Sequence, residues 1–390
     1  MRNQPIEQYP VMSPSDVRSA IDAAIVQVGA SLGRVGENFK HIFSTDGFYE
    51  TSENDQWTNG FWTGILWFAW QLEQDPLFLK TAMAHVQSFR TRIDERIAVD
   101  THDLGFLYSL SCVAAYKLTG DEFAKETALM AADLLAARFH AKGSFIQAWG
   151  AIDKADNYRL IIDCLLNLPL LYWASDVSGN DEYRKKAQAH IETAMDVLLR
   201  PDGSTYHTYY FDPDTGEPTK GVTHQGYSAD SAWARGQAWG VYGLALSYRY
   251  TKKSEYLHLF DVVTQYFLDN LPENLIPYWD FVFNDPSDEM RDSSALAIAI
   301  CGLLEMIPLL DGPQAARYEA ISSRLMKALY THCAATDPSK SDGLLLHGVY
   351  GIKTPFNDCK NHGVDECNLW GDYFYLEALM RMNGSWVSFW

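Results

Sequence analysis

Positive charge is scarce in this chain. Its 390 residues carry 31 Lys and Arg against 50 Asp and Glu, giving a net charge of −19, a pI near 4.9 and no basic run anywhere. That balance excludes a protein that binds nucleic acid by neutralising phosphates. Long hydrophobic runs are also missing. The longest apolar stretches, near residues 61–70 and 295–304, are too short to cross a bilayer, and MRNQPIEQYPVMSPSD at the N-terminus has no signal-peptide character. The expectation is a soluble, cytoplasmic protein with no membrane partner. Six cysteines in so long a chain are no disulfide framework, and Cys112, Cys164 and Cys301 sit in apolar helical patterns that predict reduced core thiols. Cys359, His362 and Cys367 are close together but match no common zinc spacing, so no metal is expected. A Walker loop, a Gly-rich dinucleotide fingerprint, G-x-S-x-G and H-E-x-x-H are all absent, so no cofactor is expected either.

Aromatic residues are plentiful, with 12 Trp, 22 Tyr and 19 Phe. Most fill a helical core, and the remainder suit a cleft for ring-shaped ligands. Amphipathic segments recur with an acidic or Gly-rich start and an aromatic a few residues in, at Phe78, Phe123, Tyr183, Tyr256 and Tyr318, and SPSDVRSAIDAAIVQVGASL adds a sixth. Between them run six segments apolar nearly all round, beginning near Gly60, Leu104, Leu160, Arg235, Ser293 and Trp370. Helices buried on every side alternating with helices that keep a wet face predict a closed double ring. The reading is an all-α (α/α)6 toroid over residues 1–390 as one catalytic domain. Strand signals are few, at STYHTYYF (204–211) and GLLLHGVYG (343–351), and predict small hairpins rimming one mouth. The long connections into the apolar helices carry Trp57, His102 with Asp103, Trp149, His207, Gln225, Trp233 with Arg235, Arg291 with Asp292, and Trp370 with Asp372. A site is expected at that end, where inner-helix N-termini converge.

Asp163 is the most anomalous residue, a carboxylate inside RLIIDCLLNLPLLYW whose apolar surroundings predict a raised pKa. Asp103, at the start of the preceding inner helix, reads either as an N-cap or as a partner whose charge helps hold a proton on Asp163. His102 and His207 read as hydrogen-bond donors beside the pair or as loop histidines. Arg235 and Trp239, at i and i+4, offer either a carboxylate clamp beside a stacking ring or an ion-paired Arg with a core Trp. The pattern leaves carboxylate-driven chemistry on a polar, anionic ring substrate.

At these residues the chain resembles the unsaturated glucuronyl hydrolases, glycoside hydrolase family 88, through DQWTNGFWTGILW, HDLGFLYSLS, IQAWG, RLIIDCLLNLPLL, STYHTYYFDP, THQGYSADSAWARGQAWGVYG, RDSSA and LWGDYFYLEAL. The resemblance implies an (α/α)6 barrel. It also implies hydrolysis of the 4,5-unsaturated uronic acid that polysaccharide lyases leave at the non-reducing end of glycosaminoglycan-type oligosaccharides. It makes Asp163 the general acid/base and Asp103 its partner, and places Trp57, His102, Trp149, His207, Gln225, Trp233, Arg235, Trp239 and Tyr350 around the unsaturated sugar. The implied chemistry hydrates a vinyl ether and needs no attack on the anomeric carbon. Some streptococcal members favouring sulfated disaccharides carry Ser-x-x-Ser-x-Lys after the position of Tyr350. Gly351 to Phe356 stand there in this chain, with Lys353 as the one cation for a sulfate. Competing readings are an unsaturated rhamnogalacturonyl hydrolase, an inverting glycosidase on the same toroid, and a non-catalytic oligosaccharide-binding toroid. A binder has little use for a carboxylate as costly to desolvate as Asp163.

Overall fold

Among the described residues, twelve main helices alternate in what they bury. The computed structural model describes residues 5–384 and 386–390. In chain order the main helices are α1 (Pro14–Val35), α2 (Asn59–Glu73), α3 (Pro76–Asp94), α4 (104–119, with a π-helical turn at Ser109–Val113), α5 (Glu122–Ala137), α6 (Leu168–Ser178), α7 (Asp181–Leu198), α8 (Ala234–Thr251), α9 (Ser254–Asp269), α10 (Ser293–Met306), α11 (Gly312–Cys333) and α12 (Leu369–Asn383). Odd-numbered helices bury one stripe. In α1 this is Val17, Ala20, Ile21, Ala24, Val28 and Leu32, the three- and four-residue spacing of one helical face. Even-numbered helices are buried nearly all round, as along Gly60 to Ala69 of α2 and Ser293 to Leu303 of α10. Each even helix packs against the next, from α2 through α4, α6, α8 and α10 to α12, and α12 returns to α2, closing the inner ring. This is the expected (α/α)6 toroid.

The acidic starts of the repeat have a local cause. At one end of the toroid an inner helix stops on a left-handed residue (Gln74, Gly120, Gly179 or Lys252), and the next outer helix begins immediately. Asp75, Asp121 and Asn180 then cap the free N–H groups of Leu77, Ala124 and Glu182. With these turns so short, the connections at the other end are left to carry the remaining chain. There the hairpins form. Thr208–Phe211 pairs with Pro218–Val222 and with Arg159–Ile161, and Gly348–Gly351 pairs with His362–Glu366. Short ladders at 39–40 with 51–52 and at 139–140 with 145–146 join them, beyond those expected.

One helix start differs from expectation. The segment from Leu160 is not yet α-helical: Arg159–Ile161 is a strand, Ile162–Leu166 a 3-10 turn, and α6 begins only at Leu168. Pro169 is the reason, because it lacks an N–H and is tolerated only in a helix's first turn. The six cysteines are unpaired, and all but Cys359 are buried. Among the described residues no helix is long and apolar enough to cross a membrane.

Candidate active site

The N-termini of the inner helices surround a cavity of about 400 Å³, whose wall includes Trp57, His102, Asp103, Trp149, Asp163, Gln225 and Tyr350. Asp103 immediately precedes α4, and Asp163 sits in the 3-10 turn leading to α6, so the two carboxylates open adjacent inner helices. Their spacing is set by Asn167. Its side-chain oxygen accepts from the free N–H of Phe106 in α4 at 2.7 Å, and its Nδ2 donates to the carbonyl of Asp163 at 3.2 Å. Gly105 permits this approach, since a Cβ there would stand 2.3 Å from the Asn167 Cα. Because Asn167 satisfies the helix end, Asp103 is free of capping duty. Its side chain makes no cap bond and instead accepts from Thr101 Oγ1 at 2.7 Å, with His102 Nε2 at 3.4 Å.

Burial pushes the Asp163 carboxyl up to about 7, with the Asp103 charge adding to the rise and Arg235 opposing it. Burial also raises Asp103, to about 6, against the pull of its Thr101 hydrogen bond and of Arg138 and Arg92. Burial thus favours the protonated form at both carboxyls, and more strongly at Asp163, where the Asp103 charge adds to it. Asp163 Oδ1 is buried with no hydrogen-bond partner, and the same is true of His102 Nδ1, His207 Nε2 and Trp239 Nε1. Buried polar atoms are seldom left unpaired unless a ligand, water or reaction step uses them. His207 Nδ1 accepts from the backbone N–H of His224 at 3.3 Å, so its proton belongs on the unpaired Nε2. Burial holds both His102 and His207 neutral, His102 near a pKa of about 3.

The charge problem posed by −19 is solved locally. Arg92, Arg138 and Arg159 are buried around the mouth, and among the described residues none of them is ion-paired. Arg92 spends its donors on the backbone and on Asn54 and Asn59, Arg138 on Gln147 and Gly150 carbonyls, Arg159 on Asp156 O and Asn157. Arg159 also lies 4.6 Å over the ring of Trp149. Their uncompensated charges make the mouth attractive to an anion inside an acidic protein.

Not every expected residue reaches the cavity. Arg235 is buried and ion-paired with Asp292 at 2.6 Å, and its terminal nitrogens also donate to Val349 O, to Gln225 Oε1 at 2.8 Å and to Tyr350 O at 2.9 Å. The clamp reading is therefore corrected to the ion-paired one: both terminal nitrogens are committed to holding Gln225 and the Tyr350 strand. Trp233 lies under this guanidinium at 4.3 Å, and Trp239 packs deeper between Phe106 and Phe374. His207 stands in edge contact with Trp233. On the wall itself, Trp57 stacks on Trp370 at 5.2 Å and donates to Tyr350 Oη at 3.2 Å. Lys353 is exposed off the wall, and Lys360 lines it instead. His224, Asp358, Cys359 and His362 complete the lining. Of these, His224 was not among the expected residues, although it adjoins Gln225 in the sequence. Asp358 and Cys359 belong to the loop joining the last two strands and His362 opens the last of them, a segment whose path is set by partners far away in sequence. Cys367 is buried beside Ser44 and Ser341, apart from the wall-lining Cys359 and His362.

The sequence model of Glycosyl Hydrolase Family 88 matches residues 33–381. The chain belongs to that family. It is 46% identical over 381 residues to the unsaturated chondroitin disaccharide hydrolase of Streptococcus pyogenes serotype M1, covering 97% of this chain and 94% of the relative. The crystal structure of unsaturated glucuronyl hydrolase from Streptococcus agalactiae superposes with a TM-score of 0.95 at 43% identity, covering 100% of this chain and 98% of the other. A mutant of that enzyme complexed with dGlcA-GalNAc6S superposes at 0.87 with 40% identity, covering 100% and 97%. The chain is thus a glycoside hydrolase on a toroid shared with these enzymes.

Proposed function

We propose that the chain releases the 4,5-unsaturated glucuronic acid from the non-reducing end of lyase-generated glycosaminoglycan disaccharides, by hydrating the C4=C5 vinyl ether. The carrying observation is Asp163: a carboxyl raised to about 7 with an unpaired buried oxygen, beside Asp103 raised only to about 6. Protonating carbon is slow in water, so the reaction needs a carboxylic acid that stays neutral at physiological pH. In this reading Asp163 gives its proton to C4. The positive charge left at C5 is shared with the ring oxygen and stabilised by ionised Asp103. Water adds at C5 and returns a proton to Asp163, and the hemiketal opens to a C5 ketone with expulsion of the leaving sugar from C1.

The unpaired N–H of His207 and the amide of Gln225 suit the sugar hydroxyls, and Trp57 and Trp149 offer aromatic faces to the ring. The buried arginines and Lys360 supply the field for a uronate and for a sulfate on the leaving sugar, the latter in keeping with the liganded relative. The whole chain acts as one catalytic domain, and its unpaired cysteines support a reducing, intracellular place of action.

The test is incubation with unsaturated chondroitin disaccharides in deuterated buffer, followed by ultraviolet absorbance and proton NMR. Loss of the double bond with deuterium at C4 of the product is expected. Cleavage with the C4=C5 bond intact would refute the mechanism.

A further inference from the structure

His190 is a buried histidine that does not line the cavity. It lies on the inward stripe of the outer helix α7. Its Nδ1 accepts from the backbone N–H of Ile146 at 2.9 Å, so in the neutral ring the proton belongs on Nε2. Burial keeps the ring neutral, lowering its pKa to about 3, and a charge on His102 would lower it further. Nε2 is nevertheless buried without a hydrogen-bond partner. A buried donor left unused costs about 1–3 kcal/mol, so a group is expected to take this one.

The matching acceptor is on His102. The stretch 145–149, a strand at Phe145–Ile146 and bridged to Thr101 at Trp149, serves both histidines. Ile146 gives its N–H to His190, and two residues on the carbonyl of Ala148 accepts from the His102 N–H at 2.8 Å. Backbone groups two residues apart on an extended chain face the same side, about 7 Å from each other. Both histidines are therefore attached to one edge of this stretch. His102 Nδ1 is buried without a partner, as His190 Nε2 is, and a buried water satisfies groups of this kind. His102 Nε2 stands 3.4 Å from Asp103 Oδ1. Burial, Arg138 and Arg159 hold His102 neutral, so it has one ring proton to place. On Nε2 that proton points a donor at Asp103, whereas on Nδ1 it leaves a lone pair facing the carboxylate.

We infer that His190 is a positioning residue for the reaction: through one bound water its Nε2–H makes His102 Nδ1 an acceptor and so keeps the His102 proton on Nε2, aimed at Asp103. A donor facing the carboxylate favours its ionised form, which the mechanism proposed above requires of Asp103. Without His190 the neutral His102 can take the other tautomer and turn a lone pair on that charge. His190 touches neither substrate nor reacting atoms and acts only through His102. The inference rests on the role proposed for Asp103, and the experiment separates the two.

Two substitutions divide the work of the ring. His190→Asn keeps an acceptor near the Nδ1 position for the Ile146 N–H and removes the Nε2 donor, whereas His190→Gln keeps a donor near the Nε2 position. In protein labelled with ¹⁵N-histidine, NMR is expected to find the parent's His102 proton on Nε2 and to find it shifted toward Nδ1 in His190→Asn. With unsaturated chondroitin disaccharide, kcat should fall at least about tenfold in His190→Asn with KM little changed, and the acidic limb of the pH profile should move upward. Asp163, Arg92, Arg138, Cys164 and Thr101 also face Asp103, and neither substitution alters them. His190→Gln should recover most of the rate. A His102 proton on Nδ1 in the parent overturns the inference. Parental kcat and pH profile in His190→Asn also overturn it, as do equal losses in both variants, which would make His190 a packing residue. If the parent turns over no unsaturated disaccharide, the proposed function falls, and the His102 tautomer alone decides the inference.

Discussion

The two ends of the toroid bury the same kinds of residue and treat them differently. At the end with short turns buried arginines and glutamates meet in one network. Arg381 pairs with Glu305 at 2.6 Å and Glu377 at 3.0 Å, Arg249 pairs with Glu305 at 2.9 Å, and Trp390 Nε1 donates to Glu377 at 2.8 Å. Tyr242 donates to Glu377, and the Trp390 carbonyl takes Arg249 and Lys117. At the other end three buried arginines have no carboxylate, Asp163 has an unpaired oxygen, and two neutral histidines each keep an unpaired nitrogen. A closed network specifies a fold, whereas one with open valences is completed by something outside the protein.

The largest effect expected from this contrast is at Asp163. Asp163→Asn keeps the shape and loses the proton, so turnover of unsaturated disaccharide falls by roughly 10²–10⁴-fold. Stability moves the other way. The folded protein keeps the Asp163 proton up to about pH 7, whereas the unfolded chain releases it near the ordinary value of 3.8. Stability associated with this group is therefore complete below about pH 4 and lost as pH rises through about 7. The variant accordingly melts higher than the parent at pH 8. Calorimetry together with an absorbance assay checks both, and a folded variant within tenfold of parental turnover contradicts the assignment.

Arg381→Ala sharpens the comparison from the paired end. It leaves Glu305 and Glu377 buried with less compensation, an expected loss of about 3–5 kcal/mol in unfolding free energy. The kcat/KM of the fraction that stays folded should match the parent, because no Arg381 contact reaches the cavity. Urea unfolding and active-site titration separate the two quantities.

The toroid was legible because its signal is redundant. Burial on all sides writes an unbroken apolar run into each inner helix, and the short turns write an acidic cap at the start of the outer helix that follows. Asp163 was legible for the opposite reason, as a carboxylate with apolar neighbours on both sides. What could not be read were pairings across the chain. Nothing local tells Arg235 that Asp292 will neutralise it, or that Asn167 will cap the helix of Phe106 and so release Asp103. Lys353 and Lys360 are equally plausible cations in a Pro- and Asn-rich loop, and only the cross-ties of Thr354 and Asn357 turn Lys360 to the wall.

The smallest effect, and the most specific, lies in the pH profile. If Asp163 must be protonated and Asp103 ionised, kcat/KM for the parent rises with pH as Asp103 ionises near 6 and falls as Asp163 deprotonates near 7. The optimum is narrow because the two values nearly meet. Asp103→Asn removes the negative charge that helps hold the Asp163 proton, so the alkaline limb of the residual activity moves to lower pH and the acidic limb disappears. Losing Thr101 as a donor perturbs the same pair from outside the reacting atoms. Thr101→Val removes a bond that lowers Asp103, so its pKa rises and the acidic limb shifts upward while the alkaline limb moves little. A profile in which Thr101→Val and Asp103→Asn move the same limb in the same direction would show that the two carboxylates do not divide the acid and base roles in this way.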